Sequence, residues 1–302
     1  MNPKHTAPPA TMSLHEAAER LGVHYMTVYR YIRTGRLAAH QDGRQWRIRI
    51  EDVDGLKDRA SAPTEVTTRR GGTAVRLLER LIAGDEAGSW QVVESALASG
   101  ADPTEVHLDL LAPALRELGQ RWQQGQLSIA DEHRASATAH RLVARLGPRF
   151  ARPGRKRGTV LIGAVAGELH DLPVNLVADQ LRGAGFSVIE LGANTPASSF
   201  VTATTSASAF CVLLSVTGPG HDDAVRETVA ALRRDTNASI LVGGAAVPDE
   251  ATAVGLGSDR WTGHNAREVV STVTGLLEER AAERRRRPVP RARGVAPGAV
   301  AE

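Results

Sequence analysis

The sequence predicts a multidomain α and α/β protein: a winged helix-turn-helix, a four-helix bundle and a doubly wound, five-stranded parallel sheet. Three observations carry this. A helix-turn-hairpin pattern fills residues 11–58, helical periodicity fills 73–150, and strand-helix alternation fills 157–280. With 302 residues, 42% hydrophobic and 24% charged, the chain has the size and composition of a globular protein of two or three domains.

The first pattern begins with Ser13-Leu14-His15-Glu16, a capping box in which the Ser side chain and Glu16 satisfy each other's backbone N–H. A short helix follows to Arg20, Gly22 turns the chain, and a second helix covers about 24–34, stopped by Gly35. Leu37–His40 and Gln45–Ile50 bracket Asp42-Gly43, a hairpin signal, and a last helix starts near Glu51. Val23, Val28, Ile32 and Leu37 form the inward side. Residues 59–72, with Ser, Thr, Pro and Gly71-Gly72, read as a linker.

Helices are expected at about 73–83, 86–99, 103–124 and 128–146, with breaks at Gly84, Gly100 to Pro103 and Gly125. Leu108, Leu111, Leu115 and Leu118 have the spacing of a buried stripe, and Pro113 predicts a kink or break in the third helix. Beyond Arg157, strands read at about 159–165, 187–191, 210–216, 239–242 and 258–262. Helices read at about 173–183, 196–206, 222–234, 248–255 and 265–280. Five βα units imply a parallel, flavodoxin-like sheet. Residues 281–302, with Arg284–Arg287, are expected to be a disordered basic tail.

Charge is uneven. Residues 1–60 hold 10 Lys/Arg against 7 Asp/Glu and residues 275–302 hold 7 against 4, while the stretch between them holds 20 against 23. The two ends are where a polyanion would be met, and the middle is not a nucleic-acid surface by its overall charge. No apolar run approaches the roughly 18 residues a membrane span needs. The single cysteine, Cys211, excludes an internal disulfide framework, and a reducing cytoplasm is the expected compartment.

Tyr25, Thr27, Arg30 and Arg33 lie on the second helix, and Arg36, Arg44, Arg47 and Arg49 follow in the turn and wing. A helix in the major groove needs short polar or basic residues near its start and basic flanks for phosphates. Trp46 reads as wing packing rather than a base contact. The stretch Thr27–Leu37 with Gly43–Ile48 resembles the winged helix-turn-helix of excisionases and MerR-like regulators. That resemblance implies binding of double-stranded DNA through Tyr25, Thr27, Arg30, Arg33, Arg44 and Arg47.

A second constellation lies in the α/β part. Ligands of doubly wound sheets sit at the C-terminal ends of strands, where this sequence has the loop Gly167-Glu168-Leu169-His170-Asp171-Leu172-Pro173. A neutral imidazole at His170 could ligate a metal, with Glu168 or Asp171 orienting its other nitrogen. Ser215-Val216-Thr217 ends the third strand with hydroxyls, and Gly243-Gly244 ends the fourth and leaves room for close approach. This set resembles the cobalamin-binding domain, with its acid-x-His-x-x-Gly, Ser-x-Leu or Ser-x-Thr, and Gly-Gly motifs. The resemblance implies that His170 is the lower cobalt ligand and that the cofactor's nucleotide tail lies beside Ser215, Thr217, Gly243 and Gly244. Pro173 replaces the motif glycine.

Trp122 and, after nine intervening residues, Glu132-His133 resemble the cap of cobalamin-dependent light-sensing regulators, where these residues cover the upper axial group. Gln123 stands where such regulators often have a further cobalt-binding histidine, leaving His133 or His140 as substitutes. Together the resemblances imply a non-enzymatic, homo-oligomeric regulator that binds cobalamin, most simply adenosylcobalamin, and responds to it and to light. The rival readings are a corrinoid methyl carrier of a methyltransferase and a regulator of another small ligand.

Overall fold

The computed structural model describes residues 10–21, 28–29, 31–32, 37–43, 45–61, 65–263 and 265–286. Tyr25, Thr27, Arg30, Arg33, Arg36, Arg44 and the tail from Arg287 lie outside the described residues. The chain forms two compact units, Met1–Ile82 with Ala87–Leu127, and Ala83–Glu86 with Ser128–Glu302. Among the described residues no helix is long and apolar enough to cross a membrane.

The first unit opens with β1 (Thr11–Ser13) and α1 (Leu14–Leu21). The capping box forms as expected: Ser13 N–H donates to Glu16 Oε2 at 2.7 Å, and Glu16 N–H donates to Ser13 Oγ at 3.3 Å. β2 (Ala39–Asp42) and β3 (Gln45–Arg49) make the hairpin, with Gly43 at a φ of +60° in its turn. The wing is a three-stranded sheet rather than a lone hairpin, because β1 also pairs with β3 through Met12 and Ile48. Met12, Ala17, Ala18, Val28, Leu37, Ile48 and Val53 close a small core, and Ile32 packs on its margin. Trp46 packs edge-on against Tyr29 at 6.5 Å, consistent with a role in wing packing.

Helix α2 (Ile50–Ser61) and α3 (Glu65–Ala83) occupy most of the expected linker. Gly71-Gly72 lies inside α3 and does not end it. Glycine lowers helix propensity by about 1 kcal/mol without forbidding the helix, and Leu77, Leu78 and Leu81 farther along α3 are fully buried. α4 (Glu86–Ala98), α5 (Pro103–Val106) and α6 (Ala112–Gln123) follow.

The expected break at Pro113 takes the form of a π-helical turn at His107–Leu111, after which proline occupies the first turn of α6. A widened turn lets the chain pass a residue that has no N–H and crowds the carbonyl four residues back. The extra residue shifts the helix phase. Leu110, Leu111, Ala114 and Leu118 are therefore buried, while Leu108 and Leu115 are half-buried.

The second unit contains α7 (Ile129–Leu146), a 3-10 turn (Gly147–Phe150) and the sheet. Its strands are β4 (Thr159–Ala164), β5 (Ser187–Glu190), β6 (Cys211–Ser215), β7 (Ser239–Gly243) and β8 (Arg260–Trp261), all parallel in the order β5-β4-β6-β7-β8. This is the flavodoxin-like order, with its switch point between β4 and β6.

Helices α8 (Leu172–Gly183) and α12 (Ala266–Arg286) cover one face of the sheet through Val174, Leu181, Val269 and Val273. α9 (Ala197–Ala207), α10 (Asp222–Asp235) and α11 (Glu250–Gly255) cover the other through Phe200, Val225, Leu232 and Ala253. α12 runs on to Arg286, six residues into the expected tail. Cys211 is fully buried, which pushes its thiol pKa up and keeps it unreactive.

Asp179, on the buried side of α8, gives a pH prediction. Burial pushes its carboxyl up to about 6, against the opposing charge and hydrogen bond of Arg182. Its ordinary value is 3.8, so the folded protein holds a proton that the unfolded chain releases earlier. The resulting stabilisation is full below the ordinary value and is lost as pH rises through about 6. Asp179→Asn is expected to raise stability at neutral pH by about 1–3 kcal/mol and to flatten thermal stability between about pH 4 and pH 7. An unchanged pH slope in thermal melts would refute this role.

Candidate corrinoid site

The loops that leave β4 and β6 flank the switch point, and one carboxylate joins them. Glu168, with 1% of its side chain exposed, accepts four N–H groups. Thr217 N–H and Gly218 N–H donate to Oε2 at 2.6 and 2.7 Å. The His170 backbone N–H reaches Oε1 at 3.0 Å and the His170 ring Nδ1 reaches it at 2.5 Å. Burial pushes this carboxyl up, but the N–H groups of Gly218, His170 and Thr217 and the His170 ring outweigh it and bring the pKa down to about 2. Glu168 is therefore an anion that only accepts, and His170 Nδ1 must carry the proton. The His170 side chain is 58% exposed, and in the neutral ring Nε2 would be the nitrogen that can ligate a metal.

Of the two carboxylates the sequence offers to His170, the structure selects Glu168. Asp171 instead receives His140 Nε2 at 3.0 Å, which ties α7 to the start of α8. That pairing engages His140, one of the two histidines considered as substitutes at the Gln123 position. Pro173 sits in the first turn of α8, where its missing N–H has no helical partner in any case.

Two residues that sequence reasoning missed complete the loop. Asn194, at a φ of +51°, accepts Gly167 N–H on Oδ1 at 2.8 Å, and its own N–H donates to Glu168 O at 2.8 Å. An asparagine directly after Gly192-Ala193 was the available signal, since Asn tolerates this backbone region. His221 Nε2 lies 4.0 Å from Glu168 Oε2.

Ser215 and Thr217 stand at the end of β6 as expected, and Thr217 Oγ1 is buried with no hydrogen-bond partner. Such an orphan is the kind of group a ligand satisfies. The Gly243-Gly244 pair packs closely against the protein on the side a Cβ would take. A Cβ on Gly243 would stand 1.7 Å from Thr262 Oγ1, and one on Gly244, at a φ of +120°, would stand 2.2 Å from the Val216 carbonyl oxygen. The glycines let the β7 end pack against Thr262 and the β6 loop.

The cap residues fall in different units. Trp122, on α6 of the first unit, is 46% exposed. In the second unit, Glu132 accepts His133 Nδ1 at 2.6 Å and Ser136 Oγ–H at 2.5 Å, one turn along α7.

Among the wing arginines, Arg47 is half-buried and 3.9 Å from Asp42. Arg49 is bound to Glu51 and Asp52 at 3.1 and 2.9 Å, so it is committed to α2.

Family models match residues 11–61 (helix-turn-helix domain), 74–146 (B12 binding domain) and 158–270 (B12 binding domain). The chain is 29% identical over 200 residues to trimethylamine corrinoid protein 1 of Methanosarcina acetivorans, covering 64% of this chain and 91% of that one. It is 28% identical over 186 residues to dimethylamine corrinoid protein 1 of the same organism, covering 58% and 84%. The structure of the Methanosarcina barkeri monomethylamine corrinoid protein shares the fold at a TM-score of 0.59 and 18% identity, over 66% of this chain and 96% of that one.

The residues present fit the group. One histidine offers a single ligand, which suits a metal already held in its own macrocycle, and Thr217 holds a buried, unpartnered hydroxyl just beyond the end of β6. Cobalamin is the cofactor of this chain, whose two B12-binding domains follow an N-terminal helix-turn-helix region.

Proposed function

We propose that the chain is a cobalamin-dependent, DNA-binding transcriptional regulator, with no substrate turnover. The observation that carries this reading is the joining of a helix-turn-helix region at 11–61 to corrinoid domains in one chain. A methyl carrier needs no DNA-reading unit. In this reading His170 holds the lower face of the cofactor, Glu168 fixes the ring and its tautomer, and Arg30 and Arg33 read bases with Arg47 on the wing. Adenosylcobalamin is the form assigned, because its light-sensitive carbon–cobalt bond would supply a trigger. The ligand then shifts the DNA-binding assembly only by its differential affinity for the two states.

The second reading is a corrinoid methyl carrier, and the names of the relatives favour it over the regulator. One pair of measurements separates the two. Full-length protein loaded with adenosylcobalamin is incubated with a random duplex pool, and bound sequences are recovered before and after green light. The same preparation loaded with methylcobalamin is assayed for methyl transfer to a thiol acceptor. The regulator reading expects an enriched motif, lost on illumination, with recovery weakened by about 1–3 kcal/mol in Arg30→Ala. Methyl transfer with no enriched motif would establish the carrier instead.

A further inference from the structure

The overall acidity of the middle of the chain conceals a local exception. Residues 147–158, Gly-Pro-Arg-Phe-Ala-Arg-Pro-Gly-Arg-Lys-Arg-Gly, carry Arg149, Arg152, Arg155, Lys156 and Arg157 and no acid. All five basic residues are exposed. The side chains of Arg149, Arg152 and Arg155 meet no carboxylate among the described residues. Lys156 Nζ folds back onto the Arg152 carbonyl at 2.6 Å.

This segment is held at the N-terminal edge of the sheet, opposite the corrinoid loops. Arg157 N–H donates to Gly185 O at 3.0 Å, and its guanidinium lies 5.0 Å above the Phe186 ring and 3.5 Å from Thr274 Oγ1 of α12. Gly158 packs against Phe210 and Leu277. Arg280 of α12 donates to the Phe210 carbonyl and, at 2.7 Å, to the Asn237 carbonyl. The basic segment thus shares one edge with the second half of α12, which continues to Arg286, and the sequence adds Arg287, Arg291 and Arg293 beyond it.

Neighbouring arginines are already matched: Arg233 with Asp259 at 2.8 Å, Arg234 with Asp235 at 2.9 Å and Arg260 with Glu279 at 3.0 Å. Glu278 and Glu283 are the remaining acids on that stretch of α12.

Unmatched guanidinium groups in water suit phosphate oxygens. Among the described residues at this edge, Phe150 and Phe186 are buried and Phe210 is half-buried, so base stacking is not provided for. We propose that this edge is a second contact for duplex DNA, one that engages the phosphate backbone and reads no bases. The proposal rests on the reading that the chain binds DNA, and it adds the corrinoid unit to the DNA-binding surface.

The test uses full-length protein loaded with adenosylcobalamin and kept in the dark, with a short random-sequence duplex and affinity measured across a salt series. Arg152→Ala/Arg155→Ala/Lys156→Ala alters exposed side chains only, and an unchanged visible spectrum reports an intact corrinoid unit. Each lost phosphate contact flattens the slope of log affinity against log salt by about one. The triple variant is expected to lose about two to three in slope and about tenfold or more in affinity at low salt. Arg47→Ala, in the wing, serves as an independent measure of the helix-turn-helix contribution. An unchanged slope and affinity in the triple variant, with wild type binding well, overturns this inference alone. Absence of duplex binding by wild type overturns it together with the regulator reading. Tighter binding to phosphatidylglycerol vesicles than to duplex overturns the assignment to DNA.

Discussion

His170→Ala is expected to weaken cobalamin binding by more than about 100-fold while leaving the fold intact. Loss of an outer partner of a metal ligand typically costs about 10–100-fold, and loss of the ligand itself should exceed that. The side chain is 58% exposed and belongs to a loop, so its removal leaves no core cavity. Glu168→Gln supplies the graded comparison. It keeps the side-chain shape but replaces the anion that gathers four N–H groups, and should fall in the range of about 10–100-fold. Equilibrium dialysis with hydroxocobalamin and the visible spectrum of the retained cofactor measure both. A His170→Ala protein that binds with wild-type affinity and spectrum would remove His170 as the lower ligand.

Gly244→Ala should be among the most destabilising single substitutions in the α/β unit. Its φ of +120° disfavours any side chain, and the new Cβ would stand 2.2 Å from a backbone oxygen that cannot rotate away. That oxygen, on Val216, accepts Ala246 N–H at 3.1 Å, so displacing it also breaks a loop hydrogen bond. Backbone strain of about 1–3 kcal/mol and overpacking of about 1–3 kcal/mol combine to roughly 2–6 kcal/mol. Chemical denaturation of the cofactor-free protein tests the value without involving cobalamin. A loss below about 1 kcal/mol would mean that the β6 loop yields more readily than its hydrogen bonds imply.

The α/β unit was legible in the sequence because each buried strand is a short apolar run stopped by glycine or a polar cluster, as at Thr159–Ala164 and Cys211–Ser215. Errors arose where long-range packing overrides local composition. β1 has three residues, and its pairing with β3 spans more than thirty positions, so no local pattern announces it. Gly71-Gly72 reads as part of a linker, yet α3 continues through it.

The site divides in the same way. The places of His170, Ser215 and Thr217 after strand ends were readable from the strand-helix alternation. The choice between Glu168 and Asp171 was not, since both lie within two residues of His170. It is decided by Thr217 and Gly218, which reach Glu168 from another strand. His140, Asn194 and His221 act through contacts across tens of residues, which spacing alone does not disclose.

The double grip of Glu168 has a kinetic consequence. The loops after β4 and β6 are fastened to each other by hydrogen bonds that need no ligand, so the conformational entropy of ordering them is lost during folding and not at capture. The lower face is a rigid template with its imidazole already aimed. Association should therefore follow a single exponential whose rate rises linearly with corrinoid concentration until a rearrangement within the cofactor limits it.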